Sequence, residues 1–427
     1  MELKRVIEAL RAFGPASAAI AGAMAARTLA QALSLWLIAR ALGPDGYGAI
    51  TAVVSIAAAF GYLLAFGSPL SMVNAVAKGE RSLPVAWRET MAAGLASMPL
   101  LLLSYAAVAL WILPAPVPLL VAACFAFAEI AVMPMCQACV YACIAADRRG
   151  DAAKLTLMPA LVRLAFAMAL WPAGRWVGPA GALPLWSLMY LLSAFLALFL
   201  SLRHLRPLTG ASLSPLWSGL GSATRQGLPF AAAGLAQKLA ADADKALLAG
   251  LSSLHAAGIY GLAYRMLEMA QMPLQALGMT IVTHMARHHE HGHRAATREL
   301  MHILPIPVAY AVLAVPAMFG VAWLVPWIFG SAFAGASASI KALAFLPLIM
   351  APRIQVQASL NAAGLQAKVA ASHFTGAALG ISMNLYLIPR HGIIGAIIVA
   401  YIVESAILLL QSLAMRSACM REGAMER

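Results

Sequence analysis

Apolar stretches of about 18 or more residues recur along the whole chain, and no other feature of the sequence constrains the fold as strongly. Each stretch is long enough to cross a hydrocarbon core about 30 Å thick as a helix. We predict twelve spans, with approximate ends at 16–41, 47–77, 90–113, 118–145, 155–173, 182–202, 228–250, 259–286, 301–328, 338–361, 369–388 and 392–415. The longest connection, 203–227, is too short for a folded domain, so we expect the protein to act inside the bilayer.

Positive charges are distributed unevenly between the two sides of this predicted topology. Of the 29 Lys and Arg residues, 19 fall on the even-numbered loops and the two tails. They are Lys4, Arg5, Arg11, Lys78, Arg81, Arg88, Arg148, Arg149, Lys154, Arg203, Arg206, Arg225, Arg287, Arg294, Arg298, Lys368, Arg416, Arg421 and Arg427. The opposite side has only Arg40, Arg175 and Arg390. This bias predicts that both termini are cytoplasmic. It also accounts for the net charge of +13 without a nucleic-acid partner, and we expect none.

A short motif occurs twice, half a chain apart. LGPDGYGAI at 42–50 is followed by HAAGIYGLA at 255–263, which aligns Tyr47 and Gly48 with Tyr260 and Gly261 at an offset of 213 residues. Short outer turns also favour Gly and Tyr, so the motif alone leaves duplication and chance open. Its place after the first span of each half favours duplication. We therefore predict two six-span lobes, 1–213 and 214–427, related by an axis along the membrane normal.

Two longer segments carry a family resemblance. SLWLIARALGPDGYGAITAVVSIAAAFGYLLAFG and GLPFAAAGLAQKLAADADKALLAGLSSLHAAGIYGLAYRMLEMAQMPLQAL resemble the O-antigen (Wzx-type) polysaccharide flippases of the multidrug, oligosaccharidyl-lipid and polysaccharide (MOP) exporter superfamily. The resemblance implies an all-α polytopic membrane protein, with about twelve transmembrane helices in two six-helix lobes in the V shape of the MATE transporters. It also implies alternating access that moves an undecaprenyl-diphosphate-linked oligosaccharide across the bacterial inner membrane. A polysaccharide polymerase and glycosyltransferases are the protein partners that it suggests.

Twelve charged residues fall inside the predicted spans. The cations are Arg27, Arg163, Lys238, Lys245, Arg265, Lys341 and Arg353, and the anions are Glu129, Asp242, Asp244, Glu268 and Glu404. A charge at the centre of a transmembrane helix costs about 2.5 to 3.5 kcal/mol, so these residues should face a cavity or one another. Their sum of +2 favours an anionic diphosphate over a cationic drug as substrate.

The seventh span carries the most informative spacing. Lys238, Asp242 and Lys245 stand at i, i+4 and i+7 and therefore share one helix face, whereas Asp244 faces elsewhere. A structural salt bridge between packed helices is the alternative for such residues. For Glu129 on the fourth span we favour that alternative and predict a pair with Arg163 on the fifth. Glu404 is left without a predicted partner.

The resemblance implies that spans one, two, seven and eight border the central cavity. Arg27 and Gln31 stand at i, i+4 on the first span, and Arg265 and Glu268 stand at i, i+3 on the eighth. The predicted substrate site is therefore Arg27, Gln31, Lys238, Asp242, Lys245, Arg265 and Glu268, to which we add Arg353 of the tenth span. Pro352 precedes Arg353 and is expected to kink that span, either as part of a transport site or as a packing feature.

Energy for transport is expected to come from a gradient, because the chain has no G-x-x-x-x-G-K-[ST] nucleotide-binding motif. A diphosphate that competes for the two lysines would leave Asp242 without its partners and ready to take up a proton. Asp242 is therefore the first candidate for ion coupling, and Asp244 and Glu268 are the next.

Two other functions compete with the flippase. A MATE-like drug or cation antiporter of the same superfamily is disfavoured by the positive sum of the intramembrane charges. A membrane-embedded glycosyltransferase or polymerase would need a large outer loop or a surface catalytic acid, so we do not expect an enzyme.

Clusters of cysteine and histidine invite a metal-site interpretation, which we disfavour. Cys136, Cys139 and Cys143 share a face of the fourth span but suit helix packing. The histidines at 288, 289, 291 and 293 fit a solvated cytoplasmic loop. We expect neither a metal nor a cofactor.

Overall fold

The computed structural model describes residues 15–208, 214–289 and 293–425. Across these ranges the backbone is helical apart from short turns, and they contain no strand. The helices are α1 Pro15–Gly61, α2 Ser68–Ala77, α3 Leu83–Ile112, α4 Leu119–Ala145, α5 Arg149–Leu205, α6 Leu220–Leu251, α7 Leu254–His289, α8 His293–Ile303, α9 Pro305–Phe329, α10 Ala334–Leu343, α11 Leu346–Ala362, α12 Gln366–His391 and α13 Ile393–Met425. Long apolar sequences favour this architecture because a helix satisfies its own backbone hydrogen bonds in lipid.

Several of these helices are suited by length and composition to cross a membrane. Six in the described ranges pass that test, and the number rises to eight if each of two bent pairs counts as one span. Helices α6, α7 and α12, which correspond to the predicted seventh, eighth and eleventh spans, are not among them. Polar content explains why α6 does not pass the test, since this single helix contains four charged residues close together: Lys238, Asp242, Asp244 and Lys245.

Single glycines separate consecutive spans in the two longest helices. Gly43 in α1 has φ 68° and ψ 179°, and Gly178 in α5 has φ 75° and ψ 173°. Only glycine adopts such backbone angles without strain, so each marks the turn between two helical segments. Pro44 begins the segment after the first of these turns, a position that its fixed φ favours.

The predicted second span, 47–77, is broken in the structure. It bends by 51° between Gly61 and α2. Ala65, Phe66 and Gly67 all have positive φ there, and the Ser97 hydroxyl accepts a hydrogen bond from the Ala65 N–H at 2.9 Å. The serine therefore satisfies one backbone group that the break releases from the helix.

The expected kink at Pro352 is wrong. Helix α11 continues through Pro352, and the predicted tenth span instead bends by 57° between Leu343 and Leu346. Pro347 lies in the first turn of α11, where its missing N–H costs no helical hydrogen bond. The proline at the start of the helix therefore coincides with the bend, and the one inside it does not.

The chain divides into two compact units. The first contains the chain up to Leu42, together with Ala57–Trp111 and Ala115–Ala232. The second contains Gly43–Ile56, Ile112–Pro114 and the chain from Ala233 onward. An apolar cluster in the first unit includes Trp87, Cys139 and Leu155. Two clusters in the second unit are used below: the inner cluster of Val399, Val403 and Ile407, and the end cluster of Leu300, Val356, Leu360, Val369 and Met415.

Glycines of the repeated motif pack backbone against backbone inside the second unit. A side chain at Gly48 would overlap the carbonyl of Leu254, and one at Gly258 would overlap the carbonyl of Pro44. Small residues at helix crossings permit this close approach. The motif therefore holds the 44–56 segment of α1 against the start of α7.

Candidate functional site

The three charged residues predicted to share one face of α6 form an ion-pair triad. Asp242 binds the Lys238 ammonium through Oδ2 and the Lys245 ammonium through Oδ1, the latter at 2.5 Å. The predicted sharing of one helix face by these three residues is confirmed. Because each lysine lies about one turn from Asp242, the helix itself provides the geometry of both pairs.

The two lysines of the triad differ in accessibility. The Lys245 side chain is 7% exposed, and its ammonium also donates to the Ala241 carbonyl at 2.8 Å and lies 3.7 Å from the centre of the Tyr264 ring. Lys238 is 29% exposed. Lys245 was predicted to contact substrate, but this arrangement directs it into the unit. Lys238 is the lysine of the triad that a ligand outside the unit can reach.

Asp244 lies on the other side of α6. Its Oδ2 accepts a hydrogen bond from the Tyr260 hydroxyl at 2.5 Å, and its Oδ1 accepts one from the Lys245 backbone N–H at 2.8 Å. Tyr47, which matches Tyr260 in the repeated motif, contacts the Phe333 ring at 6.4 Å between centroids. The two matched tyrosines therefore make different contacts.

Arg265 and Glu268 form the expected pair on α7. Arg265 Nη1 donates to Glu268 Oε2 at 2.6 Å, and the two side chains are 38% and 30% exposed. Arg265 and Lys238 are therefore partly exposed cations on consecutive helices. Guanidinium and ammonium groups suit phosphate oxygens.

A small cavity lies beside Asp244. It has a volume of about 20 Å³, and its polar lining residues are Asp244, Tyr264, Asn384 and Glu404. Asn384 is buried, and its Oδ1 accepts no hydrogen bond from any residue in the described ranges. A space of this size holds one water molecule or one small cation, and carboxylate and amide oxygens are suitable ligands for either. Sequence reasoning missed Asn384, although a polar residue inside a predicted span is the signal that could have found it.

Arg353 pairs with Glu404, and this ion pair accounts for both charges inside the predicted spans. The Arg353 Nε contacts Glu404 Oε2, and Arg353 Nη1 donates to Gln357 Oε1 at 3.0 Å. Both charged side chains are 10% exposed. That Arg353 contacts substrate stays a prediction. Glu404, which lacked a predicted role, is its partner and also lines the cavity.

The predicted site residues fall in both units. Arg27 and Gln31 lie on the first segment of α1, in the first unit, and both are half-buried. The remaining predicted site residues, Lys238, Asp242, Asp244, Lys245, Arg265, Glu268 and Arg353, lie in the second unit. Within that unit the structure brings Lys238, Asp242, Lys245 and Asp244 into one connected group.

The predicted structural pair in the first unit is confirmed. Arg163 Nη2 lies 3.9 Å from Glu129 Oε1, and Tyr190 donates a hydrogen bond to the same carboxylate. The guanidinium also lies 4.3 Å from the centre of the Tyr190 ring. Glu129 occurs in a π-helical turn at Phe127–Val132, an irregularity that is often found at functional positions.

The three cysteines of α4 are packing residues. Cys136, Cys139 and Cys143 are buried, and the last two belong to the apolar cluster around Trp87. Of the predicted histidine loop, residue 291 and the side chains of residues 288 and 289 lie outside the described residues.

A family model described as polysaccharide biosynthesis protein matches residues 17–288. No curated protein sequence matches the chain.

Solved transporters share the fold. An inward-facing multidrug resistance transporter of the MATE family, in the MOP superfamily, matches with a TM-score of 0.71 and 12% identity over 93% of this chain and 95% of that one. The MATE multidrug transporter DinF-BH, solved as a complex, matches with a TM-score of 0.66 and 15% identity over 96% and 95%. The eukaryotic MATE transporter AtDTX14 gives 0.56 and 16% over 97% and 99%. The predicted all-α polytopic fold of the MATE type is therefore confirmed.

Proposed function

The chain belongs to the polysaccharide biosynthesis protein family, and from that premise we propose that this multi-pass membrane transporter is a flippase for an undecaprenyl-diphosphate-linked oligosaccharide. The proposal places it in the bacterial inner membrane with both termini cytoplasmic, as the distribution of Lys and Arg predicts. Polysaccharide polymerase and glycosyltransferases are the proposed protein partners. The observation that carries the proposal is the pair of accessible cations, Lys238 and Arg265, on adjacent helices of a family linked to polysaccharide synthesis.

A lipid-linked diphosphate fits those cations. Each is already paired with a carboxylate, Lys238 with Asp242 and Arg265 with Glu268. A phosphate oxygen that takes over such a cation makes a charge-assisted bond, while the displaced carboxylate limits how tightly the headgroup is held. Release on the far side of the membrane requires such a moderate affinity. Arg27 and Gln31 of the first unit stay predicted substrate-binding residues.

Substrate binding is proposed to change the charge environment of Asp242. When a diphosphate binds Lys238, Asp242 retains only Lys245 as its counter-ion. An incompletely paired carboxylate at this depth takes up a proton more readily, which would link substrate binding to proton binding. Because Lys245 stays bound inside the unit, the change at Asp242 is smaller than if both lysines were lost.

Asp244 is proposed as the ligand of the coupling ion. It lines the small cavity together with Asn384 and Glu404, so three oxygen-bearing side chains surround a space for one ion. Its neighbour Asp242 binds the same Lys245, whose ammonium lies 3.7 Å from Asp244. An ion that neutralises Asp244 would shift Lys245 toward Asp242. This shift would connect the ion cavity with the ion-pair triad on α6. Glu268, already held by Arg265, is the next candidate.

Surface glycan in cells tests the proposal. Arg27→Ala, Lys238→Ala and Arg265→Ala should each abolish or strongly reduce surface glycan while membrane abundance stays near the wild-type level. Lys78→Ala is the control, since its side chain is 71% exposed and lies 4.0 Å from Glu80. Normal glycan in all three variants would contradict the proposed site, and equal loss of protein in all three would assign these residues to folding.

A cation antiporter is the second candidate, favoured by the MATE fold of the solved neighbours, which are described as multidrug transporters. Efflux of a cationic dye by the purified protein, combined with no flipping of the lipid-linked glycan, would establish it. The positive sum of the charges inside the predicted spans disfavours a cationic substrate.

A further inference from the structure

A row of polar side chains, buried except for the half-buried Gln357, leads away from the Asp244 cavity through the second unit. Glu404, which lines the cavity, pairs with the Arg353 guanidinium. Arg353 Nη1 donates to Gln357 Oε1 at 3.0 Å, and His373 Nε2 lies 3.0 Å from the same oxygen. Four side chains from α11, α12 and α13 therefore form one continuous row.

The row points toward one end of the helices. His373 lies 7 residues after Gln366, where α12 begins, which corresponds to about 10 Å of helix. On the topology predicted from positive charge, this end of α12 is cytoplasmic. The inner cluster lies on the cavity side of the row, and the end cluster lies at its other end. The polar row therefore runs from the cavity toward the cytoplasmic end of the unit and ends at the buried His373.

In a transporter that is coupled to an ion gradient, such a row offers the ion a leak path. A hydrogen-bonded path between an ion cavity and water would dissipate the gradient unless something blocks it. A fixed positive charge is an effective block for cations, because the local dielectric constant is low and the guanidinium stays protonated. Arg353 is the fixed positive charge in this row.

We propose that Arg353 is the electrostatic barrier that keeps the coupling ion of the Asp244 cavity from leaking along Gln357 and His373 to the cytoplasmic side. This inference rests on the proposed ion coupling. The guanidinium fits the role because it spans the row, with Glu404 on the cavity side and Gln357 on the other. Glu404 therefore has two functions: it lines the cavity, and it holds the barrier in position.

The far end of the row is the buried imidazole of His373. His373 is 4% exposed, and in the tautomer that donates from Nε2 to Gln357 its Nδ1 is an acceptor. No residue in the described ranges donates to that Nδ1. Arg353 therefore lies between the carboxylates of the cavity and the imidazole of His373.

Ion leak in proteoliposomes without any glycan lipid tests the proposal. The purified protein is reconstituted, a proton or sodium gradient is imposed, and its decay is followed with a trapped dye. Arg353→Gln should accelerate the decay by on the order of tenfold or more, whereas Arg353→Lys, which keeps the charge, should stay as tight as wild type. Arg163→Gln is the matched control, because it breaks a half-buried arginine–glutamate pair in the first unit.

A second variant keeps the test valid even if Arg353→Gln alone does not fold. Arg353→Gln combined with Glu404→Gln replaces the buried pair by neutral groups of similar size, which proteins commonly tolerate. It lacks the barrier and should also leak. Gradient decay at the wild-type rate in this folded double variant would overturn the proposal, and so would an equal leak in Arg163→Gln. Because no glycan lipid is present, the result does not depend on which substrate the protein transports.

Discussion

Asp242 holds together a buried charge network, and its removal has a calculable cost. Asp242→Asn leaves the Lys245 ammonium, on a side chain only 7% exposed, without its 2.5 Å partner. Breaking one side of a buried pair costs about 3 to 5 kcal/mol. Asp244, at 3.7 Å from the same ammonium, partly substitutes, so we expect a loss of unfolding free energy near the lower limit, about 3 kcal/mol.

Two companion variants separate the buried lysine from the accessible one. Lys238→Met should cost at most about 1 kcal/mol, because an ion pair with an accessible partner contributes little. Lys245→Met added to Asp242→Asn should return the stability to within about 1 kcal/mol of wild type, since a neutral pair of similar volume replaces the charged one. Transport should remain lost in the double variant, as the proposed coupling requires the carboxylate.

Equilibrium unfolding in mixed detergent micelles, followed by tryptophan fluorescence, measures these differences. Wild-type stability of Asp242→Asn would refute the assignment of Asp242 as the counter-ion of buried Lys245. A cost for Lys238→Met equal to that of Asp242→Asn would refute the distinction between the two lysines.

Further predictions concern helix packing, a buried hydrogen bond and the form of the substrate cation. Gly258→Leu should sharply reduce the yield of folded protein in detergent because its side chain would overlap the Pro44 carbonyl, whereas Gly320→Leu, with open space around it, should not; equal yields would contradict the close crossing. Tyr260→Phe should lower the unfolding free energy by about 1 to 3 kcal/mol, since it leaves Asp244 Oδ2 without its donor, and an unchanged unfolding midpoint would contradict this. Arg265→Lys should retain partial flipping in reconstituted vesicles, because a point charge still binds phosphate, and activity as low as that of Arg265→Ala would instead show that a bidentate guanidinium is needed.

Hydrophobicity and charge spacing predicted much of this structure. Long apolar stretches identify most helices, because a membrane span must satisfy its backbone internally. Spacing along a single helix predicts contacts such as Lys238–Asp242 and Arg265–Glu268, since residues three or four apart are neighbours. The pair of Glu129 and Arg163 followed from similar depth on consecutive spans. The division into halves at 1–213 and 214–427 stays a prediction.

Contacts between distant helices were less accessible to sequence reasoning. Arg353 and Glu404 are 51 residues apart on α11 and α13, and nothing in their local sequence indicates that they meet. The break at Ala65 and Phe66 depends on support from Ser97 of α3, so local propensity does not predict it. The Pro352 error has a similar cause. A proline tolerated inside α11 and one at its start look alike in the sequence, and the surrounding helices decide which one accompanies a bend.

Flipping of a defined lipid by the purified protein tests the central claim most directly. Proteoliposomes that contain the wild-type protein and a fluorescent undecaprenyl-diphosphate-linked oligosaccharide should expose the glycan to an external lectin faster than protein-free vesicles. The combined variant Lys238→Ala and Arg265→Ala should be no faster than the protein-free control, while Lys78→Ala should match wild type. Wild-type vesicles that expel a cationic dye but expose glycan no faster than protein-free vesicles would contradict the account.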